Sequence, residues 1–356
     1  MKRHFLLPIL IVLCSLSACR VDFTPNAEWK DVPTVYCVLD PEEDTVWARV
    51  QRCYLGQENL YNYAHIFDSN NYATGTISVH ISAWRGPNTP LSGINATCRM
   101  VDSWVLRDTL RYGKPEGNFS SDPQPVFYCV PSHKLSDYTD CVFQLLIINN
   151  YSGDTIARAT TDMVGFLDHD PSGIEDVVLS HNSIPGYHFG FIPVKRNEIK
   201  WRMLPRGRYY QPGITFYYQK GDDTLSIDVI GTGIKAERFG YALNSKAITE
   251  YKFLQTIKAA LQDNTDTLFN VNHVDILIYA CNEDLNAYIT SQNLHISGGQ
   301  GFSPYTNIEG GLGIFGSRRT HIRERVPCDS TGKPGYLPDQ LHRLGVGFYG
   351  NFTPAE

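Results

Sequence analysis

Apolar residues recur at every second position along the first half of this chain, in runs too short for helices and separated by turn-forming residues. Val35, Cys37 and Leu39 alternate, Pro41-Glu42-Glu43-Asp44 supplies a turn, and Val46, Ala48 and Val50 alternate again. Successive side chains of an extended strand point to opposite faces, so this spacing predicts a hairpin with one buried face. Further strands are expected at 77–83, where Ile77, Val79, Ile81 and Ala83 share a face, and at 103–110, 126–130 and 142–148. Residues 149–154 then turn the chain into a strand at 155–160. Short strands punctuated by Gly, Pro, Asn and Asp predict a mainly β chain organised as a β-sandwich.

Composition breaks at Asp168-His169-Asp170-Pro171-Ser172-Gly173, which is acidic, turn-forming and poor in apolar residues. Residues 166–182 therefore read as a linker between an N-terminal sandwich at 30–165 and a second one at 183–326. Strands are expected in the latter at 187–193, 198–203, 214–219, 224–229 and 274–280. Trp201, the Tyr209-Tyr210 pair and Phe216-Tyr217-Tyr218 form a pattern similar to the buried tryptophan and strand tyrosines of fibronectin III and immunoglobulin-like sandwiches. Two helices interrupt this half. In 246–261, Ile248, Tyr251, Leu254, Ile257 and Leu261 recur at spacings of three and four behind Ser245 as N-cap. In 283–294, Asn282 caps, Glu283 and Asp284 suit the positive end of the dipole, and Leu285, Tyr288, Ile289 and Gln292 line one face. Residues 327–356 form a C-terminal tail.

The N-terminus is a processing signal in form. Lys2, Arg3 and His4 precede a short apolar stretch, and Leu16-Ser17-Ala18-Cys19 matches a bacterial lipoprotein cleavage site. Cleavage before Cys19 would leave 338 residues, enough for two domains of ordinary size, with acyl chains such as palmitate on Cys19. Two or more acyl chains anchor stably where one does not. Residues 19–29 become a tether, and the absence of an aspartate directly after Cys19 favours the outer membrane, on its periplasmic or its outer face.

Seven cysteines remain beyond Cys19, at 37, 53, 98, 129, 141, 281 and 328. The number is odd, so pairing within domains would leave one thiol over and make Cys281 with Cys328 the first disulfide candidate. Alternatively, several stay reduced as small buried hydrophobes. Net charge is only −6 and no basic stripe occurs, which argues against nucleic acid as a partner.

Catalytic signatures are missing. No Gly-x-Ser-x-Gly, His-Glu-x-x-His or phosphate loop occurs, and the histidines lack metal spacing, so neither an enzyme nor a cofactor beyond the acyl chains is expected. Asp168, Asp170 and Ser172 imitate the start of a calcium loop, but its twelfth position holds Leu179 in place of a bidentate glutamate, so an acidic linker is the competing reading. Residues 60–72 carry Tyr61, Tyr63, His65, Phe67 and Tyr72 among amides and read as a long surface loop able to stack on sugars or dock a protein. The same rings would equally pack over one end of the sandwich.

Residues 282–292, leading through Phe302-Ser303-Pro304-Tyr305-Thr306-Asn307-Ile308-Glu309-Gly310-Gly311-Leu312-Gly313-Ile314-Phe315-Gly316, resemble the C-terminal signature of a large family of Bacteroidota cell-envelope lipoproteins of unknown function. Pro33-Thr34-Val35-Tyr36 and Arg49-Val50-Gln51-Arg52 are similar to the first hairpin of related lipoproteins. Membership would imply an envelope lipoprotein without an assigned reaction. Physically, the glycines suit a bulge or close backbone approach in a strand that presents Leu312, Ile314 and Phe315 to the core, whereas Asn307 and Glu309 could instead meet a partner or ligand. The expectation is a lipid-anchored, non-catalytic binding or assembly module, accessory to an outer-membrane nutrient receptor and touching that receptor or a glycan. An adhesin or surface-structural subunit is the alternative, with a hydrolase built on a dispersed site behind it.

Overall fold

Alternation becomes packing directly in the first hairpin. β1 (Pro33–Leu39) and β2 (Val46–Arg52) pair antiparallel with Cys37 opposite Ala48, and they bury Val35, Cys37, Leu39, Val46, Ala48 and Val50. The computed structural model describes residues 31–53, 60–87, 93–113, 115, 117, 120–165, 177–181, 184–185, 189, 197–235, 243–245, 248–261, 270–296, 304–328 and 337–346. Cys19, Asp168, Asp170 and Ser172, together with the side chain of Tyr61, lie outside the described residues.

The chain continues through α1 (Leu60–Ala64), α2 (Phe67–Asn70), β3 (Ile77–Arg85), β4 (Arg99–Gly113), β5 (Pro123–Cys129), a 3-10 turn at Leu135–Tyr138, β6 (Val142–Asn149) and β7 (Thr155–Asp162). The second half holds β8 (Val177–His181), β9 (Ile184–Pro185), β10 (Asn197–Trp201), β11 (Tyr209–Lys220), β12 (Asp223–Ile230), β13 (Ile234–Lys235), β14 (Leu243–Ser245), α3 (Glu250–Leu261), β15 (Asn270–Cys281), α4 (Glu283–Ile296), β16 (Leu312–Pro327) and α5 (Leu337–Arg343). The fold is mainly β. No helix among the described residues is long and apolar enough to cross a membrane.

Twelve strands share one hydrogen-bonded network in the order β12-β11-β15-β16-β1-β2-β5-β4-β3-β6-β7, with β13 beside β11, and β14-β10-β8-β9 form a smaller sheet. Two long strands each serve two ladders. β4 pairs with β3 through Arg99–Leu106 and with β5 through Arg107–Gly113. β16 pairs in parallel with β1 from Leu312 to Ser317, then antiparallel with β15 from Arg318 to Pro327. Parallel neighbours need a long crossover, and here that crossover takes in about three-quarters of the chain, from Leu39 to Leu312.

The apolar interior divides accordingly. One cluster gathers β1 to β7 but also takes Ile308 and Phe315 from the C-terminal part, and the other gathers Trp201, Tyr210, Phe216, Phe253, Ile276 and their neighbours. A third, small cluster lies where α4 covers the opposite face of β1 and β16, with Leu285 and Ile314 at its centre and Val38, Tyr209, Tyr288 and Tyr305 around it. Ile314 and Phe315 therefore both become buried although they point to opposite faces, and Leu312, expected in the core, is 41% exposed.

Several expectations are corrected. The second-half helix begins at Glu250, because Leu243–Ser245 is strand β14, and its N-cap is Thr249, whose Oγ1 accepts the Lys252 N–H at 3.2 Å. Its buried stripe is Phe253, Leu254, Ile257 and Leu261, while Tyr251 faces solvent. The tail expected after Val326 is instead part of the second core, where Cys328, Leu337, Leu341 and Val346 are buried. Cys281 is a free thiol. It sits opposite Arg318 at one end of the β15–β16 ladder, whereas Cys328 follows Pro327, which pairs with His273 at the other end. Eight residues of strand, about 26 Å at ~3.3 Å each, separate positions that a disulfide needs within ~7 Å.

Candidate functional site

Period two fixes what the first hairpin shows to solvent. With Val46, Ala48 and Val50 inside, Trp47 and Arg49 must point outward from β2, and with Phe127 inside, Tyr128 must point outward from β5. Register then sets Trp47, Tyr128 and Arg107 side by side across β2, β5 and β4, and sets Tyr36 of β1 opposite Arg49. The Trp47 and Tyr128 rings stack at 5.3 Å between centroids and 29° between planes. The Arg111 guanidinium carbon lies 3.8 Å from the centroid of the Trp47 ring, a cation–π contact. Three aromatic rings and three arginines thus share one sheet face.

The members are held unequally. Arg49 donates from Nη2 to Gln124 Oε1 at 3.1 Å, and Gln124 is fixed in turn by its amide donating to the Asp122 carbonyl at 2.8 Å. Burial lowers the pKa of Arg49, an effect that the neighbouring Tyr36 opposes. Tyr36 also meets Tyr288 of α4 edge to face at 6.2 Å, which marks where the helix bounds the surface. Trp47 remains 37% exposed and Tyr36 40%, and Arg107 and Arg111 are exposed. No carboxylate among the described residues pairs with Arg107 or Arg111.

The residues expected to recognise a ligand at 60–72 do not form a long loop, because α1 and α2 occupy the segment. Its amides serve these helices: Asn70 Nδ2 donates to the carbonyls of Ala64 at 3.0 Å and Ile66 at 3.3 Å, and Asn71 Nδ2 to that of Phe67 at 3.0 Å. Tyr72 is buried, with its hydroxyl donating to Asp31 at 2.9 Å and Arg52 over its ring, and burial followed by the Asp31 contact pushes its pKa well up. His65 is exposed, and Tyr63 and Phe67 are half-buried.

Asn307 and Glu309 are engaged internally. Asn307 holds the Phe315 backbone from both sides, accepting its N–H at 3.0 Å and donating to its carbonyl at 2.7 Å. Glu309 exchanges backbone hydrogen bonds with Arg158 of β7, and its carboxylate meets the Arg158 guanidinium bidentately at 2.6 Å on each arm. That partner lowers the Glu309 pKa. The run from Asn307 to Phe315 is thus the seam that joins β7 to β16.

Other polar groupings offer less. Among the described residues no group of three or more His, Cys, Asp or Glu side chains is placed to hold a metal ion. An open cleft of about 430 Å³ is lined by Pro41, Glu42, Asp44, Lys134, Ser136 and Asp137. Local motif reading missed the Trp47 face, although its signal was present: a tryptophan at the outward position of an alternating strand. No family model matches the chain, and no curated protein matches it either.

Proposed function

We propose that this chain is a lipid-anchored binding module of the bacterial outer membrane, non-catalytic and accessory to a nutrient-uptake receptor, with the Trp47 face as its capture surface. The observation that carries the reading is the stacked Trp47–Tyr128 pair on an open sheet face with arginines beside it. An exposed ring such as Trp47 costs solvation that packing does not recover, and aromatic residues with arginine are enriched where proteins bind partners. The Cys19 signal and the resemblance of residues 282–316 to Bacteroidota envelope lipoproteins support the location.

A sandwich for residues 30–165 is supported by β4, which belongs to two ladders whose inward residues share one apolar cluster. Trp201 beside Tyr210, whose ring centroids are 6.1 Å apart, is in keeping with a second one.

The test is purification of the tagged full chain from envelopes in mild detergent, alongside Cys19→Ala. The proposal expects a large β-barrel protein to copurify with the parent and the variant to leave the membrane fraction. A variant that stays membrane-bound removes the anchor, and a parent that brings no barrel removes the receptor role.

A further inference from the structure

The same face carries a charge that says what it takes, an inference that rests on its reading as a capture surface. The chain as a whole is acidic, at −6. Yet Arg107 and Arg111 of β4 and Arg49 of β2 stand on one side of one sheet. Arg111 lies on Trp47, Arg49 is bonded to the neutral Gln124, and Arg107 sits opposite Tyr128. The cations are therefore met by rings and a neutral amide instead of by acids, and their charge stays uncompensated.

We infer that the outer face of β1, β2, β5 and β4 binds an acidic saccharide, its sugar rings lying on Trp47 and Tyr128 and its carboxylate or sulfate groups meeting Arg107 and Arg111. A guanidinium resting on an aromatic ring keeps its edge N–H groups free, and those form the planar fork that matches a carboxylate or sulfate. Positions 107 and 111 lie four residues apart on β4, about 13 Å, and β2 lies about 10 Å across from β4. The surface therefore accommodates more than one ring of a chain-like ligand, with charged groups spaced along it. Arg111 is already seated on Trp47, so little side-chain freedom is lost on binding. A nucleic acid strand would also stack and pair with cations, but it calls for a basic groove that tracks successive phosphates, and no lysine is among the residues of this face.

The experiment measures binding of the full chain, in detergent, to polygalacturonate and dextran sulfate, each beside its uncharged counterpart, methyl-esterified polygalacturonate and dextran. The inference expects an acidic polymer to bind and its neutral counterpart to bind much more weakly. Trp47→Ala should lower affinity about tenfold. Arg107→Gln and Arg111→Gln should each weaken acidic binding and flatten its dependence on salt, with melting temperatures showing that the variants stay folded. No binding to either acidic polymer overturns the inference. Equal binding to a neutral counterpart, lost in Trp47→Ala and kept in both arginine variants, overturns the acidic preference while the capture surface stands. Binding that survives Trp47→Ala and Tyr128→Ala removes the surface itself. Tighter Trp47-dependent binding to an oligodeoxythymidylate, or to phosphatidylglycerol vesicles, also overturns the inference.

Discussion

Asn282 and Ser317 are bonded in both directions. The Asn282 backbone N–H donates to the Ser317 carbonyl at 3.1 Å, and the Asn282 side-chain carbonyl accepts the Ser317 N–H at 3.2 Å. Ser317 is where β16 leaves β1 for β15, so the pair fixes the point at which one strand changes ladders. The same Asn282 oxygen caps α4 by accepting the Leu285 N–H at 3.2 Å, and its amide donates to Thr161 Oγ1 at 2.8 Å and Asp162 Oδ1 at 2.9 Å on β7. One fully buried side chain thus ties a helix, the strand β7 and the crossing strand together.

Removing that side chain leaves the Ser317 N–H, the Leu285 N–H and the Asp162 carboxylate short of partners at once. Each orphaned buried group costs about 1–3 kcal/mol, and loss of a cap typically about 1. Asn282→Ala should therefore lower unfolding stability by roughly 3–5 kcal/mol, read by urea denaturation. Asn282→Asp should also destabilise, because it exchanges the donor toward Asp162 for a second carboxylate. A change below about 1 kcal/mol in Asn282→Ala would contradict the hub role.

Asn307 and Glu309 separate a structural clamp from a surface pair. Asn307 braces the Phe315 backbone beside a fully buried ring, so Asn307→Ala should cost about 2 kcal/mol in urea unfolding. Glu309 and Arg158 are exposed, and such pairs contribute little because water screens them. Glu309→Gln should leave the midpoint nearly unchanged. Equal losses in the two variants would reverse this assignment.

Legibility in the sequence followed locality. The hairpin of Val35–Leu39 and Val46–Val50 could be read because each residue's burial depends on its immediate neighbours, and Asn282 could be read as a cap for the same reason. α1 and α2 were not legible, since five and four residues hold too little periodic signal. Leu312 looked like core because nothing local reveals that α4 covers Ile314 and leaves Leu312 outside. The partnership of β16 with β1 joins chain positions at opposite ends of the sequence, and with it goes the meaning of Asn307. The Trp47 face was half legible: alternation puts Trp47 outside, but only register brings Tyr128 and Arg107 beside it.

Gly313 is a second point where that distant pairing is enforced. It holds φ at +102°, a backbone state that L side chains avoid, and a Cβ there would run into the Val35 carbonyl oxygen across the parallel ladder. Gly313→Ala should thus lower stability by about 2–3 kcal/mol or more, read as a fall in the thermal midpoint. Gly153 also has positive φ but open space around its Cβ position, so Gly153→Ala carries backbone strain without the clash and should cost less. An alanine scan ranking the two the other way would refute the close approach.

Asp284 gives the seam a pH dependence. Burial raises its pKa above the ordinary 3.8, and Asp162 and Glu283 add to the rise, against the opposing hydrogen bonds from Tyr305 at 2.7 Å and Thr161 at 3.5 Å. A carboxyl whose native pKa exceeds its unfolded one binds protons more readily in the native state between the two values. Stability therefore falls as pH rises through that window, and the deficit is complete above the native pKa. Asp284→Asn keeps an acceptor for Tyr305 and removes the charge. Its stability relative to the parent should improve as pH rises from about 4 and level off once the parent carboxyl is ionised in the native state, measured by urea unfolding at successive pH values. A difference that does not vary with pH would exclude the effect.

The thiols test the fold from another side. Burial pushes the pKa of Cys281 up to about 12, with Glu283 adding to it, pushes Cys141 up to about 11, and raises that of Cys37 further. Alkylation proceeds through the thiolate and needs access, so iodoacetamide on the native protein at pH 8 should modify the half-buried Cys53 and Cys98 first. Cys37, Cys141 and Cys281 should label only once denaturant is added. The proposed envelope location would favour disulfides, but Cys281 lies a full ladder length from Cys328. Denatured, non-reduced protein should accordingly yield alkylated Cys281 peptide in full. A Cys281–Cys328 cross-linked peptide in the same digest would mean that β15 and β16 are not paired as described.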